Sequence, residues 1–527
     1  MMFSAISSVG SMLSRVLGPT PKAENPFDDE AYRTEFISQL KTHTIALADD
    51  IWKNFWETDI DLFCNQRPSA ETVQLGRYNG YTVWTFTLGL QSIIEAERLS
   101  PGTYGDNIST AIETLRERYY NPEFKAYSAW VYARGDTDVY YDDNAQIAIA
   151  LTDAFLLLHD PIYLDLARRL CNFLITGWTS GDSPPGGIQW HVGDEAPHND
   201  RCCCSTAITG VALLRTANAL KPHIKNLKSY PSAAKLQLTD EEKQSDWVAL
   251  EPGSDESIEE MEKDVQKFIS FAQKCGDWLV DTLFIKEEDK KGDSLTHLIA
   301  DKLTQSDDSN WKRDEHTILS YNIGTTLHLL CLLHQESQLS REAKIPDYTE
   351  TIHTLAGTAV TPYKAIFNIS APNPDKRVWA DFPYFTHLLI EGLLVYTSTF
   401  PHHTKIREVE NMILHNVKFM KNHLSASPEN PLFYHRNLKL NKISKEKTEE
   451  WNKIMGTNEK EDLDKTERVY DEPWEKLEEA TMARTLLAQG GVARGLALVA
   501  GTIGRKIEIQ EETTRVLNSA SLVAGDW

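Results

Sequence analysis

Apolar positions in this chain recur three and four residues apart, and two kinds of helical stretch take turns along it. Residues 30–57 place Phe36, Leu40, Ile45, Ile51 and Trp52 on one stripe, whereas residues 79–97 (Tyr81, Val83, Trp84, Phe86, Leu88, Leu90, Ile93, Ile94) are apolar nearly all round. Residues 106–119 return to a single stripe and 143–158 are apolar all round again. Residues 161–176 show Ile162, Leu166, Leu170 and Leu174 on one face, with Asp165, Arg168 and Arg169 facing outward. The alternation continues through 205–220, 258–284, 315–334, 348–360, 383–398, 404–423 and 477–500, predicting twelve helices in all. A helix apolar on every side must be surrounded by other helices, and one with a single stripe covers a core from outside. Six such pairs predict an all-α domain built as a closed double ring, with six inner helices inside six outer ones.

Three stretches near 222–257, 286–314 and 436–476 break this pattern with Lys, Glu, Asp and Ser. Their composition predicts solvated loops or exposed helices inserted into the ring. The alternation resumes after each, so residues 28–527 are expected to form one domain behind a flexible N-terminal segment, 1–27. Length alone, at about 150 residues per domain, would suggest three.

Composition narrows the partners. Among 527 residues, 54 Lys and Arg face 77 Asp and Glu, a net charge of −23 that disfavours nucleic acid or an anionic membrane surface. Thirteen Trp and nineteen Tyr suit stacking on neutral polar ligands such as sugars. The seven cysteines, three of them consecutive (Cys202, Cys203, Cys204), fit neither zinc-ligand spacing nor a disulfide framework, so reduced thiols and no metal or other cofactor are expected. Ser4, Ser7, Ser8, Ser11 and Ser14 interrupt the apolar run a secretory signal needs, and no continuous apolar run of about 18 residues announces a membrane span. The expected location is cytoplasmic, with an Arg-poor organellar presequence as the alternative.

A phosphate loop, a Gly-x-Ser-x-Gly elbow and a His-Glu-x-x-His pair are all missing from the sequence, which leaves paired carboxylates as the candidate chemistry. Of the pairs Asp28-Asp29, Asp49-Asp50, Asp142-Asp143 and Asp307-Asp308, only Asp142-Asp143 opens a helix apolar on every side, enclosed by Tyr140, Tyr141 and Asn144. Helix capping explains one Asp there and explains two flanked by two Tyr and an Asn less well; the other reading is a glycosidase pair, one attacking the anomeric carbon and the other protonating the leaving oxygen. Adjacent side chains can reach the separation of about 5 Å that retaining chemistry needs.

Tyr140-Tyr141-Asp142-Asp143-Asn144-Ala145, then Asp160-Pro161-x-Tyr163-Leu164 and Gly186-Gly187-Ile188-Gln189-Trp190, resemble glycoside hydrolase family 76, the α-1,6-mannanases and their fungal relatives. Tyr321-Asn322-Ile323-Gly324 and Tyr363-Lys364-Ala365-Ile366-Phe367 resemble further segments of that family in the same order. The resemblance implies an (α/α)6 barrel and a retaining hydrolase or transglycosylase acting on α-1,6-linked mannose. It implies Asp142 as nucleophile, Asp143 as general acid/base, and Tyr140, Tyr141, Asn144, Trp190, Tyr321 and Asn322 along the sugar subsites. The chain departs from the family pattern at Gln146 and Ile147 and at the run Cys202 to Thr206, which bears on which glycan is bound. A non-catalytic glycan-binding or scaffold protein that kept the barrel is the alternative reading.

Overall fold

The computed structural model describes residues 25–67, 81–179, 186–193, 200–229, 255–287, 293–305, 311–339, 344–427, 430–434, 445–460 and 484–524. Among them are thirteen α-helices: α1 (Glu30–Phe55), α2 (Val83–Leu99), α3 (Gly105–Tyr119), α4 (Tyr141–Leu158), α5 (Pro161–Thr176), α6 (Cys203–Ser229), α7 (Asp255–Trp278), α8 (Ser320–Leu339), α9 (Thr349–Ala359), α10 (Pro383–Thr399), α11 (Ile406–His423), α12 (Lys445–Met455) and α13 (Leu486–Ala524). All but α12 correspond to the twelve helices predicted from periodicity. Starts are set by local chemistry: Asp29 caps α1 through the Ala31 and Tyr32 N–H groups, and Asp160 caps α5 just before Pro161.

The all-round apolar helices form the inner ring. In sequence, α2 packs on α4, α4 on α6, α6 on α8, α8 on α10, α10 on α13, and α13 back on α2, which closes it. The striped helices α1, α3, α5, α7, α9 and α11 cover this ring from outside, giving the (α/α)6 architecture. On α5 Leu166, Leu170 and Leu174 are buried as expected, while Ile162 is only half-buried and Tyr163 beside it takes the buried place. Arg168, expected to face outward, is instead buried, its guanidinium 2.6 Å from Asp264 of the neighbouring outer helix α7. Lateral contact between outer helices, which a single-helix pattern does not contain, turns it inward.

Inner helices α8 and α10 cross at two glycines. A Cβ on Gly392 would lie 2.1 Å from the Gly324 carbonyl oxygen, and one on Gly324 would lie 2.3 Å from the Leu388 carbonyl. Backbone cannot yield as a flexible side chain would. Gly392→Ala is therefore expected to destabilise the fold by about 1–3 kcal/mol, read as a lower urea midpoint with folded-state circular dichroism retained.

Leu486–Gln510 of α13 is long and apolar enough to cross a membrane, contrary to the expectation that the chain holds no such stretch. Its burial is supplied by α1, α2 and α10, and an inner helix of a double ring needs the same composition as a membrane span. Residues 1–24 lie outside the described ones, but the flexible segment predicted over 1–27 is too long. Asn25 caps a 3-10 turn at Pro26–Asp28, and Phe27 is buried with Tyr32 and Phe36.

The three charged stretches are partly structured. Residues 222–229 continue α6, and 230–254 lie outside the described residues, as do 306–310 with Asp307-Asp308. Lys302–Gln305 and Trp311–Asp314, expected as solvated insertion, form β2 and β3 of a sheet whose first strand is β1 (Arg201–Cys202), in the order β1-β2-β3. In the third stretch α12 buries Thr448, Trp451 and Met455.

A chain of charges crosses the interior of the inner ring. Arg494 of α13 binds Glu391 at 2.7 Å and His387 at 2.6 Å, both on α10. Arg215 of α6 bridges Glu391, at 3.2 Å, to Asp153 of α4, which also pairs with Arg98 of α2. Burial acts against the ionised Glu391 carboxyl, but the charges of Arg494, His328 and Arg215 outweigh it and hold its pKa well below the usual carboxylate range.

Candidate active site

The N-terminal turns of five inner helices, α2, α4, α6, α8 and α10, gather around one cavity at one end of the ring. The cavity, of about 460 Å³, is lined by Thr82, which caps α2, and Trp84 (α2), Asp142, Asp143 and Gln146 (α4), Cys204 and Ile208 (α6), Tyr321 and Thr325 (α8), and Tyr384, Phe385 and Leu388 (α10). Connecting segments add Ala129, Trp130, Tyr140, Trp190, Cys202, Asp301 and Lys302. Volume and aromatic lining are those of a small-ligand site.

Asp142 and Asp143 occupy the first turn of α4, where the helix dipole favours negative charge. Asp142 Oδ1 accepts the Asp143 backbone N–H at 3.0 Å; its Oδ2 accepts the Trp190 indole N–H at 3.2 Å and the Cys204 thiol at 3.4 Å. Trp190 is itself fixed by backbone bonds, its N–H to the Asp200 carbonyl and its carbonyl to the Tyr141 N–H. The Gly186-Gly187 turn before it has φ of +82° and +85°, and a Cβ at either position would strike Trp178 or Trp278. Two glycines thus aim the indole at Asp142.

The two carboxyls are electrostatically unequal. Burial raises the Asp142 pKa, while the Cys204 thiol, the Asp143 N–H and the Trp190 indole pull it back by binding the ionised form. For Asp143, burial and then the Asp142 charge both act in the same direction and push its pKa well above the ordinary value. Of the two carboxyls, Asp143 therefore holds a proton more readily and Asp142 gives one up more readily. Burial, followed by nearby Cys204, Asp301 and Asp142, raises the Tyr321 hydroxyl well above its usual range, which keeps it a neutral donor.

Of the eight residues expected at the site, the structure brings Asp142, Asp143, Tyr140, Trp190 and Tyr321 to one cavity. It does not bring the other three. Tyr141 turns away to stack on Phe173 of α5, with ring centroids 4.9 Å apart and planes 7° from parallel. Asn144 is fully buried behind the pair, accepting the Tyr127 N–H at 2.8 Å and donating to the Tyr127 and Tyr140 carbonyls. Asn322 is also fully buried, donating to Asp301 at 3.1 Å. Successive helical side chains diverge by about 100°, so a run of consecutive residues cannot all face one cavity. Both Asn residues are supports rather than walls.

Sequence reasoning misses Trp84, Trp130, Asp301, Lys302, Tyr384 and Phe385, and it singles out Gln146, Cys202 and Cys204 only as departures from the family pattern that bear on the glycan. Trp84, Cys204, Tyr384 and Phe385 share a signal that could have found them, since each lies in the first turns of an inner helix. Asp301 and Lys302 have none, because they fall in a stretch whose composition reads as insertion. The β1-β2 pairing, Cys202 opposite Lys302, carries them to the cavity rim, where Lys302 binds Asp200 at 2.6 Å. Among the described residues no group of three or more His, Cys, Asp or Glu side chains is arranged to hold a metal ion.

Comparison with known proteins agrees with this geometry. The sequence pattern of glycosyl hydrolase family 76 matches residues 40–236 and 260–454. The meiotically up-regulated gene 191 protein of Schizosaccharomyces pombe is 25% identical over 480 residues, covering 89% of this chain and 94% of the relative. A GH76 α-mannanase of Bacteroides thetaiotaomicron superposes with a TM-score of 0.57 at 14% identity, over 90% of this chain and 97% of that one. An α-1,6-mannanase of Salegentibacter sp. HEL1_6, solved with α-1,6-mannotriose as an inactive variant with two consecutive Asp changed to Asn, gives 0.55 at 16% identity, over 89% and 98%.

Proposed function

As the chain belongs to glycosyl hydrolase family 76, we propose that it cleaves or transfers α-1,6-linked mannose with retention, Asp142 acting as nucleophile and Asp143 as general acid and base. The observation that carries this reading is the unequal carboxyl pair opening into an aromatic cavity. The ionised Asp142 attacks the anomeric carbon while Asp143 delivers its proton to the departing glycosidic oxygen, leaving a mannosyl ester on Asp142. Asp143, now a carboxylate, takes a proton from water or from the hydroxyl of a second sugar, and that oxygen displaces Asp142 from the anomeric carbon. Tyr140 and Trp190, whose ring centroids are 5.0 Å apart, flank the pair on one side. Trp84, Tyr384 and Phe385 form a second aromatic wall. Such faces suit the apolar C–H surfaces of sugar rings. The solved relative holding α-1,6-mannotriose, inactive with two consecutive Asp replaced, supports both the substrate class and the importance of an adjacent pair.

Incubation with α-1,6-mannooligosaccharides tests the reading, with shorter oligosaccharides or free mannose as the expected products. Calorimetric binding of these sugars without turnover would instead favour a glycan-binding protein, and neither binding nor turnover would remove both readings. The pH dependence has a definite sign. Because turnover needs Asp142 ionised and Asp143 protonated, kcat/KM falls as pH drops through the lower macroscopic pKa of the pair. It falls again as pH rises through the upper one, which burial and the neighbouring charge displace upward. With an activated aryl mannoside, Asp143→Asn is expected to lose the alkaline limb and keep the acid one.

A further inference from the structure

We propose that Cys204 is a positioning residue for Asp142, its S–H keeping the carboxylate turned into the cavity in concert with the Trp190 indole. This rests on the reading of Asp142 as nucleophile. The contact is a 3.4 Å hydrogen bond from Cys204 Sγ to Asp142 Oδ2, the same oxygen that accepts the Trp190 N–H. The thiol's own position is set by the start of α6, where the Cys203 N–H donates to the Asp301 carbonyl at 2.8 Å and so ties the first turn to β2. Three consecutive cysteines then separate by function. Cys203 turns into the core and is fully buried, with its Sγ near Thr326 and the Asn322 carbonyl, while Cys202 and Cys204 reach the cavity wall. Cys64, Cys171, Cys275 and Cys331 are fully buried in the helical core.

The groups facing Asp142 come from every surrounding element: Asp143 and Tyr140 at the start of α4, Trp190 in the preceding loop, Cys202 and Cys204 at the β1-α6 junction, Asp301 and Lys302 on the β2 side, and Tyr321 on α8. Asp143 and Asp301 oppose a charge on Asp142 and Lys302 favours one, but Lys302 is engaged with Asp200. The Trp190 and Cys204 side-chain donors act on Asp142 directly. The Cys202 neighbour, burial and then the Asp142 charge push the Cys204 thiol well above its ordinary range, so it stays protonated and able to donate. A thiol is a weak donor, and weakness suits a nucleophile's partner. It orients the carboxylate while tying up its lone pairs less firmly than a hydroxyl would.

The pH profiles of kcat/KM for wild type, Cys204→Ala and Cys204→Ser on an α-1,6-mannoside test the proposal. Losing the donor in C204A is expected to raise the acid limb by about half a pH unit or more and to lower kcat. The hydroxyl of C204S is expected to return the limb to the wild-type position or below it. The contact also has a readout without turnover. Iodoacetamide labelling of Cys204 at pH 8, located by tandem mass spectrometry, should be at least about threefold faster in Asp142→Asn, because the neighbouring negative charge is gone. Superimposable profiles for the three proteins, or equal labelling in wild type and D142N, would overturn the proposal. If the wild type turns over no mannoside, the functional reading fails and the labelling comparison still decides whether Cys204 serves Asp142. If the wild type is active and the profiles coincide, the proposal fails alone. Should C204A not fold, C204S and the labelling comparison carry the test.

Discussion

Asp142→Asn and Asp143→Asn each lose at least about a thousandfold in kcat/KM on an unactivated α-1,6-mannoside, but by separable routes. Asn at 142 cannot form the ester, so the loss is independent of the leaving group. Asn at 143 removes only proton delivery and recovery. An aryl mannoside whose leaving group departs without a proton should therefore recover much of the first step in D143N and little of it in D142N. Azide should accelerate D143N further, since an anionic nucleophile needs no base to discharge the mannosyl ester, and should leave D142N unchanged. Both residues are partly open to the cavity, and the first turn of α4 retains its backbone bonds without their charge. Unchanged circular dichroism is accordingly expected, and equal losses on both substrate types would argue against divided roles.

The second large effect lies in the charges crossing the inner ring. Arg494 is 1% exposed and binds Glu391, which it shares with Arg215. Arg494→Met keeps most of the volume but leaves a buried carboxylate with one partner fewer, which costs about 3–5 kcal/mol. The cost should shrink on acidification. In wild type the lowered Glu391 pKa contributes stability that is present above the unfolded-state value and lost as pH falls through the folded one. Removing Arg494 raises the folded pKa, so protonation of Glu391 relieves the penalty at a higher pH than in wild type. A urea midpoint deficit that is large at pH 7 and smaller at pH 4.5 is the expected result; a deficit independent of pH would point to packing alone.

These two regions differ in how far they can be read in advance. The double ring is legible because each helix's burial is written in its own periodicity: α4 is apolar all round and is inner, whereas α5 is striped and is outer. The Asp pair is legible because charge at the mouth of an apolar helix needs a reason. What cannot be read depends on relations between helices. Arg98, Asp153, Arg215, Glu391 and Arg494 lie on five different inner helices, and only ring closure brings them together. Periodicity places Arg168 outward for the same reason, its partner Asp264 lying on another helix. At the site, the motif credits consecutive residues with one role, but helical rotation sends Tyr141 and Asn144 behind the pair. Asp301 and Lys302 arrive by a strand pairing that the charged composition of their segment hides.

The stereochemistry of the first product bears most directly on the assignment of Asp142 and Asp143. Hydrolysis of an α-1,6-mannooligosaccharide, followed by proton NMR from the first minutes, distinguishes the anomers before they equilibrate. Two displacements through an Asp142 ester predict that the new reducing end appears first as the α-anomer and drifts to the equilibrium mixture. First appearance of the β-anomer would mean direct attack by water and would contradict the nucleophile assigned to Asp142.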